Sequence, residues 1–186
     1  MKTPRVTPSR VGTVSAEIRQ ARPFDSLPRE VTVTLLRTSD VLRHAIESAL
    51  RPWGASPEQY NVLRILRGAG DEGLPTLEIA ERMLARSPNI TRLVDKMVEK
   101  GLAERRAVPG DRRVVRVAAT AEARALLAEL DRAIDTTLGK LDSLPSEKLK
   151  SLVVLLDAVR ERLAVPTVRE SYSRKTMSTR KEIPNG

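Results

Sequence analysis

The composition of this 186-residue chain restricts its chemistry before any motif is considered. Hydrophobic residues make up 40% and aromatic residues only 2%, so a core has to be built from aliphatic side chains. The chain has no cysteine and a single histidine, His44, which excludes disulfides, thiolate metal sites and His-rich metal clusters; no cofactor is expected. No apolar run reaches the roughly 20 residues of a membrane span, and 1–22 lacks a signal-peptide core. A cytoplasmic protein without a membrane partner is expected.

The net charge of +9 is concentrated in three parts of the chain. Lys and Arg outnumber Asp and Glu by 5 to 2 in 1–27, by 9 to 4 in 86–116 and by 5 to 2 in 164–186. The remaining stretches are nearly balanced, which a random scatter of surface charge does not predict. The excess favours a polyanionic partner. The segments 1–28 and 164–186 are rich in Pro or in Ser, Thr and Lys, and we expect poorly ordered basic tails there.

Two amphipathic helices are predicted at the start of the central part. In 29–50 apolar residues recur at intervals of three and four, and Pro52 ends the run. Ser56 has the pattern of an N-cap, because Pro57 takes the first helical position and Gln59 stands three residues after the serine, as in a capping box. The inner face of this second helix is predicted to hold Tyr60, Leu63 and Leu66.

A short helix and a longer one are predicted next. Thr76 is the predicted N-cap of the short helix. Ser87 is the predicted N-cap of the longer helix, Pro88 takes its first position, and Gly101 closes it in the left-handed conformation. The inner face of the short helix is predicted to hold Leu77, Ala80 and Leu84.

The longer helix has two chemically different sides. Its polar side offers amide, hydroxyl and basic groups, which can bond base edges and phosphates in a major groove. Two short helices, a capped turn and then this longer helix match the helix-turn-helix layout. An ordinary amphipathic surface helix has the same pattern, so this helix alone does not decide. At 100° per residue, the apolar side is Ile90, Leu93, Val94, Met97 and Val98, and the polar side is Asn89, Thr91, Arg92, Asp95, Lys96 and Glu99.

A basic β-hairpin is predicted directly after this helix. Strands at 102–108 and 114–118 flank the turn signal at 109–110, and Asp111, Arg112 and Arg113 lie between the strands. Arginines at a hairpin tip can enter the minor groove or contact phosphate, and Asp111 can position one of them by a charge-assisted hydrogen bond. Helices followed by a basic hairpin predict a mainly α fold with a small β wing, a winged helix-turn-helix.

Several short strings occur together at fixed spacing between about 57 and 127. They are Gln59-Tyr60 with Val62-Leu63, Ile79-Ala80, SPNITRLVDKMVEKGL at 87–102, Arg105 or Arg106, DRR at 111–113, and Thr120. In this arrangement the chain resembles the MarR family of bacterial transcription regulators. The resemblance implies a homodimer whose recognition helices enter successive major grooves of a pseudo-palindromic operator, with repression as the commoner outcome. The DNA-binding positions that follow are Thr76, Ser87, Pro88, Asn89, Thr91, Arg92, Lys96, Asp111, Arg112 and Arg113.

The resemblance also implies a domain organisation. A domain at 29–163 holds the winged helix-turn-helix at about 54–119, and dimerisation helices lie at about 29–51 and 120–163. Independently, the segment 144–163 carries a broad apolar side that a single outer helix of a small monomer seldom needs, so a partner helix is expected. Burial of this helix within its own chain is the alternative.

Many members of the family respond to a small, often aromatic, effector bound between the dimer helices and the DNA-binding lobe. In this sequence Arg43, His44, Trp53 and Tyr60 lie in the segments that would flank such a cleft. A lone tryptophan such as Trp53, next to Pro52, is more often explained by packing, and a lone histidine on a helix, such as His44, is more often a solvated or satisfied core residue. The absence of cysteine excludes a thiol-based oxidant switch.

Other classes of function remain open to test. An enzyme is not expected, because the chain has no glycine-rich phosphate loop and its one histidine leaves few nucleophile–base pairs. One rival is an architectural protein that binds nucleic acid without sequence preference, mainly through the tails. The other is a protein-interaction module that uses the winged fold without nucleic acid. Removing the tails tests the first rival, and low-salt binding to any duplex tests the second.

Overall fold

In the computed structural model the chain is described over 13–85, 89–108 and 111–164, with the side chains of 108 and 111–114 left out. The predicted class is confirmed: the described chain is mostly helical, with one small antiparallel sheet. It divides into two compact units after Gly139. The elements are α1 (Val14–Glu17), α2 (Leu27–Leu50), α3 (Pro57–Ala69), β1 (Leu74–Pro75), α4 (Thr76–Arg82), α5 (Ile90–Glu99), β2 (Ala103–Val108), β3 (Asp111–Ala119), α6 (Ala121–Leu138) and α7 (Ser146–Leu163), with 3₁₀ turns at Arg51–Trp53, Gly70–Glu72 and Gly139–Ser143.

The N-terminal extension predicted as poorly ordered, 1–28, overlaps with described structure. Helix α1 lies inside it and α2 begins at Leu27, with Pro28 in its first turn. Proline fits this position because its missing N–H would have no helical partner there. The Glu17 carboxylate accepts a hydrogen bond of 3.1 Å from the Arg37 guanidinium, which ties α1 to α2. Residues 1–12 and the predicted tail from 165 onward lie outside the described residues.

The capping box predicted at the start of α3 is present. The Ser56 hydroxyl accepts from the backbone N–H of Gln59 at 3.2 Å, and the backbone N–H of Ser56 donates to Oε1 of Gln59 at 3.1 Å. Pro57 stands at the first helical position. Two backbone donors at the helix start are therefore satisfied reciprocally, and the entry of the chain into α3 is fixed.

The prediction for α4 was wrong in its cap and in part of its inner face. The N-cap residue is Pro75, because β1 continues to Pro75 and the helix begins directly after it at Thr76. Ile79 is fully buried, whereas Leu77 and Leu84 are 67% and 91% exposed. The helix phase is set by packing of Ile79 into the core, which the local apolar spacing did not reveal.

The core of the first unit lies where α3, α5, α6, the end of α2 and the sheet meet. Among the described residues the buried side chains of this apolar cluster are aliphatic or Met, as the composition predicted, and the buried polar side chain beside them is Gln59 of α3. Burial of each large aliphatic side chain contributes about 1.5–3 kcal/mol to folding. The largest fully buried side chains are Leu50, Leu63, Leu66, Ile79, Met97, Leu127, Leu130, Val62, Val94 and Val117.

The sheet has the order β1-β3-β2, and both pairings are antiparallel. The predicted hairpin is present as β2 and β3, but the two-residue β1 was not predicted. The sequence also placed 111–113 in the turn, whereas β3 begins at Asp111, which pairs with Val108 after a register shift beyond Ala107. The backbone of the DRR motif therefore belongs to a strand, since the hairpin turn is shorter than the charge pattern suggested.

The second unit contains α7. It exposes much of the broad apolar side predicted for 144–163, while its remaining aliphatic residues are half-buried. A run of exposed large aliphatic side chains on one helix marks a surface that gains free energy from a partner. The exposed positions in this unit are Leu141, Leu144, Leu152, Val153, Val154, Leu155 and Leu163.

Gly73 joins α3 to the sheet at a position where no side chain fits. A Cβ there would lie 2.3 Å from the carbonyl oxygen of Val117, and the backbone φ is +65°. Gly70 has a similar backbone conformation, with φ +69°, and open space around it. Substitutions at the two glycines therefore share the cost of backbone strain, and only a substitution at Gly73 adds a steric clash.

We expect Gly73→Ala to destabilise the fold more than Gly70→Ala. Both changes carry backbone strain of about 1–3 kcal/mol, and the contact with Val117 adds about another 1–3 kcal/mol at Gly73 only. Urea unfolding of the two variants measures the difference. Equal losses would show that β1 moves away from β3 without cost.

Candidate nucleic-acid interface

Helix α5 separates its side chains as the sequence predicted. Val94 and Met97 are fully buried, while Thr91, Arg92 and Lys96 are exposed on the opposite side. Hydrophobic packing of one side therefore holds the helix in place and presents hydroxyl and basic groups to solvent. Groups of these types can bond phosphate oxygens and base edges.

The end of α5 is fixed by the glycine that the sequence singled out. Gly101 has φ +70°, its N–H donates to the carbonyl of Val98 at 2.9 Å, and the N–H of Leu102 donates to the carbonyl of Met97 at 2.8 Å. This is the Schellman arrangement, in which a left-handed residue satisfies the last carbonyls of a helix. The chain consequently turns directly from α5 into β2.

The start of α5 differs from the prediction in its bounds. The helix begins at Ile90, and its N-cap residue is Asn89, whose side chain makes no capping hydrogen bond. The predicted cap Ser87 and first-turn Pro88 lie outside the described residues. Asn89 is exposed, so its amide is available to a ligand. Thr76, another residue predicted to lie at the interface, is half-buried at the start of α4.

The turn between α4 and α5 is held by a residue that sequence reasoning missed. The side-chain oxygen of Asn61, on α3, accepts a hydrogen bond of 2.8 Å from the backbone N–H of Leu84. Nothing in the spacing of Asn61 distinguishes it from a solvated helix residue. Its role follows only from the packing of α3 beside the turn.

The basic residues of the winged part fall into two groups. Arg82 pairs with Glu78, Arg105 with Asp95 and Arg106 with Glu104. Among the described residues, in contrast, no carboxylate forms an ion pair with Arg92 or Lys96. These two exposed cations of α5 therefore keep their charge available for an anion.

One of the neutralised arginines joins the helix to the wing. The Arg105 guanidinium, on β2, donates to the Asp95 carboxylate of α5 at 2.7 Å. At the base of the sheet Arg116 donates to the carbonyl of Gly73 at 3.0 Å, and Arg106 donates to the carbonyl of Asp71. These contacts set the direction of the hairpin relative to α5. The side chains of Asp111, Arg112 and Arg113 lie outside the described part of the chain.

A shallow groove of about 300 Å³ runs along the outer side of α5. Besides Asn89, Arg92 and Lys96, it is lined by the half-buried Leu93 and by Glu58 from the first turn of α3. The groove thus brings together three of the predicted DNA-binding residues. It adds a carboxylate that the sequence analysis did not place at this surface.

Comparison with known proteins gives the family. The sequence model of the MarR family matches residues 53–114, from the turn after α2 to the first half of β3. A MarR transcription factor from Planctomyces limnophilus is 36% identical, over 73% of this chain and 99% of that chain, with a TM-score of 0.53. The chain belongs to the MarR family of transcription regulators.

Two structures of a second MarR-family regulator are also similar. CouR from Rhodococcus jostii RHA1, in its complex with p-coumaroyl-CoA, is 27% identical over 77% of this chain and 100% of that chain, with a TM-score of 0.63. CouR bound to a 23-mer DNA duplex matches at 24% identity, over 75% of this chain and 99% of that chain, with a TM-score of 0.64. The second match shows the shared fold.

The residues predicted to flank an effector cleft in this MarR-family chain are dispersed. Arg43 and His44 are exposed on α2, where both lie beside the Asp40 carboxylate, at 3.6 Å and 3.3 Å. Trp53 is 39% exposed in the 3₁₀ turn after α2.

In the described part, no helix is long and apolar enough to cross a membrane.

Tyr60, the fourth of these residues, belongs to a polar cluster between α3 and α6. Its hydroxyl donates to the Asp131 carboxylate at 2.7 Å and accepts from Arg64 at 2.9 Å, while Arg67 donates to the other Asp131 oxygen. Burial, together with the hydrogen bond to Asp131, raises the pKa of the Tyr60 hydroxyl. Burial alone would raise the pKa of Asp131, but the hydrogen bonds from Tyr60 and Arg67 lower it overall.

The Asp131 carboxylate makes the stability of this cluster depend on pH. Its pKa is lower in the folded state than the unfolded value of about 3.9. The stabilisation is therefore complete above the unfolded value and is lost as pH falls through the folded value. We expect Asp131→Asn to cost about 1–2 kcal/mol at pH 7 and much less in strongly acidic solution.

Urea unfolding at pH 7 and at an acidic pH where the fold persists measures this change. Asp25→Asn is the control, since Asp25 and Arg29 form an exposed pair, and such pairs contribute at most about 1 kcal/mol. A cost of Asp131→Asn that is the same at both pH values would show that the charge of the carboxylate contributes nothing.

Proposed function

We propose that this MarR-family protein is a sequence-specific double-stranded DNA-binding regulator that acts as a homodimer on a pseudo-palindromic operator, represses transcription and is released by a small molecule. The observation that supports DNA binding most directly is the outer side of α5. It carries Arg92 and Lys96, which have no ion-pair partner among the described residues, beside neutralised arginines, on a helix whose inner side is fixed in the core. A helix held in this way can enter a major groove without rearrangement.

The interface divides its work between two kinds of contact. The basic wing and the basic terminal segments supply an attraction that is independent of sequence and weakens with salt. Residues at and before the start of α5 supply base readout, where each good bidentate contact contributes about 1–3 kcal/mol of discrimination. The assigned residues are Thr76, Ser87, Pro88, Asn89, Thr91, Arg92 and Lys96 for the helix-turn-helix and Asp111, Arg112 and Arg113 for the wing.

Exposed aliphatic surface supports the proposed homodimer. Helices α2 and α7 each expose five large aliphatic residues in the described chain, far more than scattered surface leucines account for. A second copy would cover both faces by an isologous contact. On α2 these residues are Leu27, Val31, Leu36, Val41 and Leu42, and on α7 they are Leu152, Val153, Val154, Leu155 and Leu163.

CouR is the relative that suggests the effector class. It binds p-coumaroyl-CoA, an aromatic thioester, and it also binds a 23-mer DNA duplex. We extend this to an aromatic effector for the present chain, with Arg43, His44, Trp53 and Tyr60 as candidate contacts. The hydroxyl of Tyr60 is already bonded to Asp131, so an effector that reaches it has to displace that bond.

Fluorescence anisotropy tests the function directly. The full chain is titrated onto the duplex upstream of its own gene and onto a scrambled duplex, at two salt concentrations. Preference for the upstream duplex that persists at the higher salt supports a sequence-reading regulator. Equal binding that disappears with salt favours the architectural protein, and no binding at low salt favours the protein-interaction module.

We expect Arg92→Ala and Arg113→Ala to differ in kind. Loss of Arg92 removes a base contact and should reduce the preference for the operator about tenfold, within the range for one good contact. Loss of Arg113 removes a phosphate contact and should weaken binding to both duplexes and flatten the salt dependence. Arg132→Ala on α6, where Arg132 pairs with Glu129, is the matched control. Identical behaviour of the first two variants would contradict this division.

We expect Leu155→Glu to convert the dimer to monomer and to lower operator affinity with it. Leu155 is 64% exposed on α7, and a carboxylate buried at a subunit interface is strongly unfavourable. Analytical ultracentrifugation measures the mass, with Ser151→Glu on the same helix as the control. A dimer that survives Leu155→Glu would place the interface elsewhere.

A further inference from the structure

Glu58 stands out at the proposed DNA-binding surface because of its charge. It lines the groove along α5 together with Arg92 and Lys96, the two cations of this helix that have no ion-pair partner in the described part of the chain. In the described structure the Glu58 carboxylate forms no ion pair and no hydrogen bond with Arg92 or Lys96. A free carboxylate on a face that has to approach polyphosphate raises the question of what it contributes.

The electrostatic consequence follows from where anions would bind. In a complex with DNA of arbitrary sequence, the cations of the protein contact backbone phosphates. In the operator complex, some of these cations contact base edges instead. A carboxylate beside the cations opposes a phosphate in the groove by charge repulsion and by offering the cations a competing partner. It has much less effect on a cation that contacts a guanine edge in the major groove.

We propose that the carboxylate of Glu58 opposes the binding of a backbone phosphate beside Arg92 and Lys96, and that it thereby weakens binding to DNA of any sequence more than binding to the operator. Glu58 is on this basis a specificity-determining residue. The proposal rests on the DNA-binding function proposed above and deepens it. It concerns the ratio of two affinities, which a regulator needs because non-specific sites vastly outnumber its operators.

The simpler account of Glu58 is its place in a helix. It stands in the first turn of α3, where an acidic side chain interacts favourably with the helix dipole. Glu122 offers the same setting without the groove: it lies in the first turn of α6, two residues after the capping Thr120, as Glu58 lies two residues after the capping Ser56. Both carboxylates are exposed. Glu122 is therefore a matched control for charge, exposure and helix position.

The test compares Glu58→Gln with Glu122→Gln in the full chain. Affinity for the upstream duplex and for the scrambled duplex is measured by anisotropy over a series of salt concentrations. Thermal unfolding of both variants checks that the two changes affect the fold alike. We expect Glu58→Gln to tighten binding to the scrambled duplex about fivefold at low salt, the effect of one charge a few ångströms from a phosphate in a water-like medium.

The same variant should tighten operator binding less than twofold, because the carboxylate has little effect on a cation that contacts a base edge. It should also steepen the salt dependence of binding to the scrambled duplex, by up to about one released ion. Glu122→Gln should leave both affinities unchanged. If the two variants alter binding alike, net charge or the helix dipole accounts for Glu58 and the proposal is overturned. Equal tightening on both duplexes overturns the specificity role.

Failure of the proposed function gives a different result. If the unchanged protein binds both duplexes equally, it is not a sequence-reading regulator, whatever Glu58 does. The scrambled duplex alone then decides whether Glu58 opposes phosphate binding, since that measurement needs no operator. If neither the unchanged protein nor Glu58→Gln binds any duplex at low salt, both proposals are overturned.

Discussion

Burial of one side of α5 is the constraint on which the winged part depends. Val94 and Met97 are fully buried in the core that α5 shares with α3, α4, α6 and the sheet, and this leaves the helix a single orientation. The opposite side is not needed for packing in the core, and it presents cations and hydroxyl groups to solvent. Because the core determines the rotation of the helix, substitutions on the outer side can change recognition with little effect on stability.

Polar contacts then convert a packed helix into a defined surface. The Schellman arrangement at Gly101 ends α5, β2 begins two residues later at Ala103, and the Arg105–Asp95 pair aligns the hairpin with the helix. On the other side, Asn61 holds the turn before α5. Such exposed pairs contribute little to stability, about 0–1 kcal/mol each. Their effect is on geometry: they neutralise neighbouring charges in place, whereas Arg92 and Lys96 have no ion-pair partner among the described residues.

The contact between α3 and α6 extends this order away from the proposed DNA surface. An apolar layer that includes Leu63 and Leu130 is closed at its edge by the Tyr60–Asp131 cluster. The pKa of Asp131 is lowered because its carboxylate accepts hydrogen bonds from Tyr60 and Arg67.

The sequence by itself determined the class of fold, the capping box at Ser56, the close of α5 at Gly101, the two sides of α5 and the family. Each of these depends on neighbours within a few residues or on a pattern with a fixed period, which the chain displays directly. Only the tertiary structure decided the phase of α4, the strand at Leu74–Pro75, the strand position of 111–113 and the place of Glu58 in the groove. These depend on which distant segments meet, and local spacing carries no information about such contacts.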